Sequence, residues 1–184
     1  LTSTARCIIV VEKEGIYTRL SEDRIFDTLP CILVTGKGYP DVATRAFLRA
    51  VSTQLKIPVY GVADCNPHGL AVLLTYRRGG KGAGSEVERY RYSVDVKWLG
   101  FRPSQVGGLG LPACVNQPLL DGDRVMVENL ISKDDFVRGE EGYVEELEVM
   151  KEGGVKVELE ALGFINVSFI CEFLVGKILA ADYL

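Results

Sequence analysis

The sequence lacks the features that would place it in a membrane or around a zinc ion. No run of 18 uncharged apolar residues occurs, so no membrane-spanning helix and no membrane partner are expected. The five cysteines are scattered without a Cys-x-x-Cys pair or a Cys/His pattern, and the chain has a single histidine. An odd number of scattered cysteines also argues against a disulfide framework. We therefore expect reduced, mainly structural thiols and no zinc.

A nucleotide-binding P-loop is also missing. The glycine-rich segment 77–85 reads Arg-Arg-Gly-Gly-Lys-Gly-Ala-Gly-Ser and has no Walker pattern. Its composition predicts a flexible basic loop, either an ordinary surface loop or one that touches a phosphate backbone. The sequence contains neither internal repeats nor low-complexity segments.

The chain does have enough apolar residues for one domain, and its charge is uneven. Of its 184 residues, 47% are hydrophobic, which suffices for a sizeable core. Residues 121–160 carry 13 acidic and 5 basic side chains, or −8, which leaves +4 for the remainder because the net charge is −4. The basic part is compatible with a nucleic-acid partner, although a solvated charged surface is the simpler explanation.

Strand-like and helix-like segments alternate in the first part of the chain. Continuous apolar runs predict buried strands at 6–11, 31–35 and 59–63. Helical spacing of apolar residues predicts helices at 16–23, 41–55 and 67–76, the second of them capped by Asp41. This alternation predicts a parallel α/β sheet with right-handed crossovers.

The second part of the chain is less regular. An alternating segment at 92–99 predicts a half-exposed edge strand, and 132–136 and 143–151 predict helices. The segment 155–162 carries alternating acids and fits either a helix or a strand. Residues 164–183 predict a long closing helix, and its core-facing residues are expected to be Ile165, Phe169, Phe173, Ile178 and Leu179. The start, Leu-Thr-Ser-Thr, has no initiator Met, which predicts a piece of a longer protein.

Polar and glycine residues follow each of the first three predicted strands. Glu12 follows the first, Gly36–Gly38 the second, and Asp64 and Asn66 the third. Because sites in open α/β sheets form at the carboxyl ends of the strands, Glu12 and Asp64 are expected to share one. Oxygen ligands of this kind suit Mg²⁺. The alternative is ordinary turn chemistry, since Asp-x-Asn before Pro and Gly is typical of turns.

Three stretches resemble a known family. They are Val-Val-Glu-Lys-Glu-Gly at 10–15, Thr-Gly-Lys-Gly-Tyr-Pro-Asp-Val-Ala-Thr-Arg at 35–45, and Asp-Cys-Asn-Pro-His-Gly at 64–69. Together they resemble the Toprim domain shared by the topoisomerase VI A subunit with its eukaryotic relative, the meiotic double-strand-break transesterase. Trp98-Leu99-Gly100 and Arg102-Pro103-Ser104 also match. The resemblance implies an α/β, Rossmann-like Toprim domain, a mostly parallel central sheet flanked by helices, and a C-terminal helical extension.

The resemblance also implies a metal site and a division of the chain. Glu12 matches the family's metal-binding glutamate, Asp64 the first carboxylate of its Asp-x-Asp pair, and Asn66 the second position, where many members have Asp. It implies Mg²⁺, replaceable by Mn²⁺, with a second metal held less tightly because Asn66 lacks a charge. Residues 1–110 are expected to form the metal-binding Toprim core, and 111–184 an extension packed on the same domain.

Further expectations concern DNA. The resemblance implies double-stranded DNA as a partner, a homodimer in the full-length protein, a nuclear location and a topoisomerase VI B-like subunit. The basic side chains near the predicted site that are candidates for DNA contact are Lys13, Lys37, Arg45, His68 and Arg102. Packing, capping or ordinary surface roles are the alternatives for each of them.

The family cuts DNA with a tyrosine on an upstream winged-helix domain, which forms a 5′-phosphotyrosyl bond. None of the eight tyrosines here matches that motif. The resemblance thus implies the metal half of a composite site in meiotic recombination, inactive alone. The alternatives are a topoisomerase VI A subunit proper, or a DNA-binding and dimerisation module with a weak metal site. A phosphoacceptor receiver domain fits poorly, because the Thr-Gly-Lys-Gly-Tyr-Pro run has no place in it.

Overall fold

A four-stranded parallel sheet forms the centre of the protein. The computed structural model describes residues 1–79 and 91–184. The strands are β1 (Cys7–Val11), β2 (Cys31–Thr35), β3 (Val59–Val62) and β4 (Val96–Gly100), in the order β2-β1-β3-β4. All five residues of β1 are buried, as expected for a central strand covered on both faces. The three predicted apolar strands are confirmed.

Helices connect these strands. They are α1 (Glu14–Glu22), α2 (Ile25–Thr28), α3 (Val42–Leu55) and α4 (Pro67–Arg78). Asp41 caps α3 as predicted, because its side chain accepts the Thr44 N–H. Not every apolar residue of α3 contributes to the core, since Val42 and Phe47 are exposed. Of the glycine-rich segment 77–85, residues 80–85 lie outside the described residues.

The chain after β4 is mainly helical. Its elements are α5 (Pro103–Val106), two 3₁₀ turns (Gly107–Leu109 and Ala113–Val115), β5 (Gln117–Pro118), α6 (Asp121–Lys133), α7 (Asp135–Gly139), α8 (Glu141–Gly153), β6 (Val155–Lys156), a 3₁₀-helix (Leu159–Phe164) and α9 (Phe169–Leu179). The helical segment predicted at 132–136 is instead the junction of α6 and α7. The segment 155–162, whose sequence fits either a helix or a strand, is a short strand followed by a 3₁₀-helix.

The long closing helix predicted at 164–183 is wrong in its extent. The helix α9 has 11 residues, and the residues before it form a turn in which Asn166 accepts the Ser168 N–H at 3.2 Å. Phe173 is buried as expected, but Ile165 is 40% and Leu179 76% exposed. The hydrogen bond from the backbone to the Asn166 side chain is an alternative to the helical hydrogen bonds of this segment. The spacing of apolar residues gives no sign of this alternative.

The strand β4 lies at one end of the sheet, but its outer edge is not open. Trp98 and Leu184 exchange backbone hydrogen bonds of 2.6 and 3.1 Å, so Leu184 pairs with the middle of this edge. The buried core that contains the strands also includes Leu147, Leu162 and Leu174. The C-terminal elements and the sheet therefore share one hydrophobic core. No helix in the described ranges is both long and apolar enough to cross a membrane.

Candidate metal centre

The carboxyl ends of β2, β1 and β3 meet at one edge of the sheet. Gly38 donates its backbone N–H to the carbonyl oxygen of Glu12 over 2.8 Å, and Glu12 donates to that of Val62 over 3.0 Å. The loop after β2, the residue after β1 and the end of β3 are therefore hydrogen-bonded to one another. The convergence that the sequence predicted for these three strand ends is present in the structure.

Glu12 and Asp64 are in direct contact at this edge. The Glu12 carboxylate accepts the backbone N–H of Asp64 at 3.0 Å through its Oε2 atom. Gly69, in the first turn of α4, lies against both of them. A Cβ atom at Gly69 would stand 2.6 Å from the Asp64 carbonyl oxygen and 3.0 Å from Glu12 Oε2. The helix can approach the Asp64 backbone and the Glu12 carboxylate this closely only because position 69 has no side chain.

Both oxygens of the buried Asp64 carboxylate have protein partners. Oδ1 accepts the backbone N–H of Leu159 at 2.9 Å, and Oδ2 lies 2.8 Å from the Lys13 ammonium. The same ammonium lies 3.0 Å from Glu160 and 3.7 Å from Glu158. Lys13 therefore connects the carboxylate at the sheet edge to two acidic side chains of the C-terminal region.

The burial of the two carboxyl groups disfavours their ionised forms. Burial raises the pKa of Glu12, although the hydrogen bond from the Asp64 N–H opposes the effect. Burial also raises the pKa of Asp64, against the opposing contact with Lys13. For Lys13 itself, burial acts to lower the pKa, but the contacts with Asp64 and Glu160 outweigh it and raise the pKa overall. A cation beside these carboxylates would favour the ionised forms that burial disfavours.

Asn66, the third predicted ligand, caps a helix. Its Oδ1 accepts the backbone N–H of Gly69 at 2.7 Å, and Pro67 follows at the first helical position. This is the usual arrangement at the start of a helix, where asparagine supplies an acceptor to an otherwise unpaired N–H. The turn chemistry that the sequence offered as an alternative therefore exists at this position. A role of Asn66 as a metal ligand stays a prediction.

Comparison with known proteins assigns this architecture to a family. The family model for the Toprim domain of the topoisomerase 6 A subunit/Spo11 proteins matches residues 7–178. The chain belongs to this family. The fold predicted from the sequence is thereby confirmed, since the matched Toprim region contains the parallel sheet, its flanking helices and all but the last residue of the C-terminal helices.

Relatives of this Toprim domain carry two kinds of name. It is 41% identical over 184 residues to "Meiotic recombination protein SPO11-2" of Oryza sativa subsp. japonica, and 38% over 185 residues to the protein of that name from Arabidopsis thaliana. It is 37% identical over 185 residues to the A subunit of DNA topoisomerase 6 from Arabidopsis thaliana. Each alignment covers 100% of this chain but only 46%, 46% and 43% of the relative. The chain thus spans just under half the length of these relatives.

The metal predicted for this Toprim domain is Mg²⁺, which needs few ligands from the protein. Within residues 1–79 and 91–184, no three His, Cys, Asp or Glu side chains are grouped so as to hold a metal ion. Mg²⁺ needs only one or two carboxylates, with waters and substrate phosphates completing its octahedron. Glu12 and Asp64 are two carboxylates of this kind, and their role as metal ligands stays a prediction.

Two of the basic side chains predicted to contact DNA are exposed. The Lys37 side chain is 65% exposed, and its ammonium lies 2.8 Å from Glu14. The His68 side chain is 60% exposed, and its Nε2 lies 3.3 Å from the buried carboxylate of Asp123. Lys37 belongs to the loop after β2 and His68 to the first turn of α4, so both flank the carboxylate pair.

The other predicted DNA contacts are less accessible. Arg45 is 3% and Arg102 6% exposed, and the Arg102 guanidinium pairs with Asp182 and approaches Glu146 at 3.7 Å. Their burial favours the packing role that the sequence offered as the alternative, because a buried side chain presents little surface to a phosphate backbone, and contact of these two residues with DNA stays a prediction. Lys13 is 29% exposed and is held by the acidic side chains described above.

Sequence reasoning missed the acidic residues around Lys13 and His68. Glu158 and Glu160 reach the site because Cys65 and Val157 form an antiparallel bridge, which places this segment beside Asp64. The local sequence shows only that the two acids alternate with apolar residues, and this pattern does not indicate their partner, since Glu160 lies in the 3₁₀-helix that follows β6. Nothing in the local sequence pointed to Asp123 as the partner of His68.

Proposed function

We propose that this Toprim domain is the Mg²⁺-binding half of a composite active site in a DNA-cleaving transesterase, with Mn²⁺ able to replace Mg²⁺. One observation carries the proposal. The partly buried Glu12 and the buried Asp64 lie together at the carboxyl edge of a parallel sheet, where Oε2 of Glu12 accepts the backbone N–H of Asp64 at 3.0 Å. Such an edge is where α/β folds bind substrates.

The chemistry assigned to this half is electrostatic. Glu12 and Asp64 would hold Mg²⁺ at the sheet edge, and the bound cation would supply the positive charge that stabilises the oxygens of the scissile phosphodiester. The exposed Lys37 and His68 side chains bind the DNA backbone beside it. The nucleophile is a tyrosine outside these residues. Its oxygen attacks phosphorus, the bond to the 3′ oxygen breaks, and the 5′ end stays linked to the tyrosine.

For the whole protein we propose a homodimer that acts on double-stranded DNA in the nucleus with a topoisomerase VI B-like subunit. The names of the relatives support both branches of the family, meiotic recombination and topoisomerase. We assign the meiotic branch, because the SPO11-2 proteins of Oryza sativa match at 41% identity, against 38% and 37% for the two topoisomerase 6 subunits of the A type. Protein-linked DNA 5′ ends confined to meiotic cells would support this assignment, whereas strand passage by the purified assembly would favour the topoisomerase.

Calorimetric titration of Mg²⁺ and Mn²⁺ into the 184-residue chain tests the metal site. We expect Glu12→Gln and Asp64→Asn each to weaken binding by about tenfold or more, because each removes one of two charged ligands. Asp27→Asn is the matched control, since it removes one carboxylate charge from the exposed pair with Arg24. Equal affinities for the wild type and all three variants would show that the assignment is wrong.

A second candidate is a DNA-binding and dimerisation module whose metal site is weak. Two observations favour it, namely the cap formed by Asn66 and the Lys13 ammonium placed against Asp64. This candidate predicts that the folded wild-type chain binds DNA in the absence of divalent cations, and that Glu12→Gln leaves that affinity unchanged. The titration above separates the two candidates, because the module would show no dependence on Glu12 or Asp64.

A further inference from the structure

Lys13 occupies the position beside Asp64 that a metal ion would need. Its ammonium lies 2.8 Å from Oδ2, while Oδ1 of the same carboxylate is 2.9 Å from the Leu159 nitrogen. The carboxylate is buried, so its negative charge has little access to water. The protein has therefore supplied its own cation to a carboxylate that would otherwise be buried without a counter-charge.

An ammonium and a divalent cation cannot both lie against the same buried oxygen. Two positive charges within a few ångströms repel each other, and the repulsion is strong where the surroundings exclude water. Mg²⁺ also demands near-octahedral geometry at about 2.1 Å from each oxygen, which the bulk of an ammonium group at the same oxygen obstructs. Binding of the metal to Oδ2 therefore requires Lys13 to move.

The structure provides a place for Lys13 to go. Glu160 is already 3.0 Å from the ammonium, Glu158 is 3.7 Å away, and both carboxylates are 52% exposed. A lysine side chain has a flexible four-carbon stem, so a small rotation transfers the ammonium from Asp64 to these two acids without moving the backbone. After the exchange, the negative charge of Asp64 would face the metal, and the positive charge of Lys13 would face Glu158 and Glu160.

We propose that Lys13 is an internal counter-cation that a divalent metal displaces from Asp64 onto Glu158 and Glu160. This inference rests on the proposed metal site. Lys13 is thus a positioning residue, which holds the Asp64 carboxylate in place before the metal arrives. It also competes with the metal, so the affinity for Mg²⁺ is lower than the two carboxylates alone would give.

The test measures Mn²⁺ affinity of the 184-residue chain by electron paramagnetic resonance of the free ion. Lys13→Gln keeps a neutral donor to Asp64 and removes the competing charge, so we expect binding to tighten about five- to tenfold. Lys13→Arg keeps the charge and should stay within about twofold of the wild type. Lys37→Gln is the matched control, because it removes one positive charge from an exposed pair at the same sheet edge.

The variants separate a failure of the displacement from a failure of the metal site. Unchanged or weaker binding by Lys13→Gln, in a protein where Glu12→Gln and Asp64→Asn lose binding, would overturn the inference and leave the metal site intact. Equal tightening by Lys37→Gln would also overturn it. The loss of any positive charge near the site would then explain the tighter binding, without displacement of Lys13. If Glu12→Gln and Asp64→Asn bind like the wild type, the metal site itself fails and the inference fails with it.

A second measurement needs no variant. In the wild-type chain with ¹³C-labelled lysine, Mg²⁺ should shift the Cε signal of Lys13 with the same apparent affinity as metal binding. The Lys37 signal serves as the internal control and should move little, because its partner Glu14 is not among the proposed ligands. A Lys13 signal that does not respond to saturating Mg²⁺ would contradict displacement.

Discussion

Replacing Gly69 with Ala is expected to lower the free energy of unfolding by about 3 kcal/mol and to weaken divalent-cation binding. The added Cβ would lie 2.6 Å from the Asp64 carbonyl oxygen and 3.1 Å from Ala63 Cβ, so backbone as well as side chains must shift. It would also lie 3.0 Å from Glu12 Oε2, which pushes that carboxylate out of its contact with Asp64. Stability and metal affinity should therefore fall together.

Urea denaturation and Mn²⁺ titration of the same protein preparations check this prediction. Gly122→Ala is the matched control, because Gly122 also lies in the first turn of a helix and a Cβ there would meet nothing within 4 Å. The control should match or slightly exceed wild-type stability, since Ala is the better helix former. Wild-type stability and affinity in Gly69→Ala would mean that the close approach of α4 to the carboxylates is not as described.

Arg102→Ala should destabilise the fold by a similar amount, about 3 kcal/mol, without changing the metal affinity of the folded protein. The Arg102 side chain is 7% exposed, and its guanidinium pairs with Asp182 next to Lys177. Its other neighbour, Glu146, is 9% exposed and also accepts the Ser104 N–H at 2.9 Å and hydroxyl at 2.6 Å. Removing the arginine leaves a buried carboxylate without its counter-charge.

The control for this prediction is Arg138→Ala, which breaks an exposed pair with Asp135 at 3.5 Å. Exposed pairs contribute about 0 to 1 kcal/mol, so denaturation should barely change. DNA affinity, measured on both variants under conditions where both are folded, distinguishes the structural role of Arg102 from the DNA role that its sequence position indicated. If Arg102→Ala keeps its stability and loses DNA affinity, the structural assignment is wrong.

The sheet and the meeting of its strand ends were predictable because their signals are local and strong. Continuous β-branched runs such as residues 7–11 are buried on both faces and leave few alternatives. Once three parallel strands are assigned, the proximity of Glu12 and Asp64 follows from the topology, since both lie within two residues of the carboxyl ends of their strands. The contact between them at 3.0 Å is consistent with that reasoning.

The rest of the site depends on contacts between residues far apart in the chain. Lys13 and Glu160 are 147 residues apart, and only the path of the C-terminal segment past Cys65 brings them together. His68 and Asp123 meet for the same kind of reason, through the packing of α4 against α6. A pattern of neighbouring residues carries no information about such pairs, so the partners of Asp64 other than Glu12 could not be predicted.

The basic residues illustrate a different limit. Arg45 and Lys37 belong to the same sequence motif and were both expected to contact DNA. The motif begins in the loop after β2 and continues into the helix α3. Arg45 lies on the inward face of this helix and is 3% exposed, whereas the Lys37 side chain in the loop is exposed to solvent. A motif identifies a segment, but the helical period decides which of its side chains remain accessible.

The central claim is that Glu12 and Asp64 hold a divalent cation at the carboxyl edge of the sheet. Paramagnetic broadening by substoichiometric Mn²⁺ in a ¹H–¹⁵N correlation spectrum of the 184-residue chain tests it most directly, because broadening falls steeply with distance from the bound ion. The account predicts that the amide signals of Glu12, Lys13, Asp64 and Cys65 broaden first and that excess Mg²⁺ restores them. Broadening confined to the acidic helix α8 (Glu141–Gly153), or a spectrum unchanged by Mn²⁺, would contradict the account.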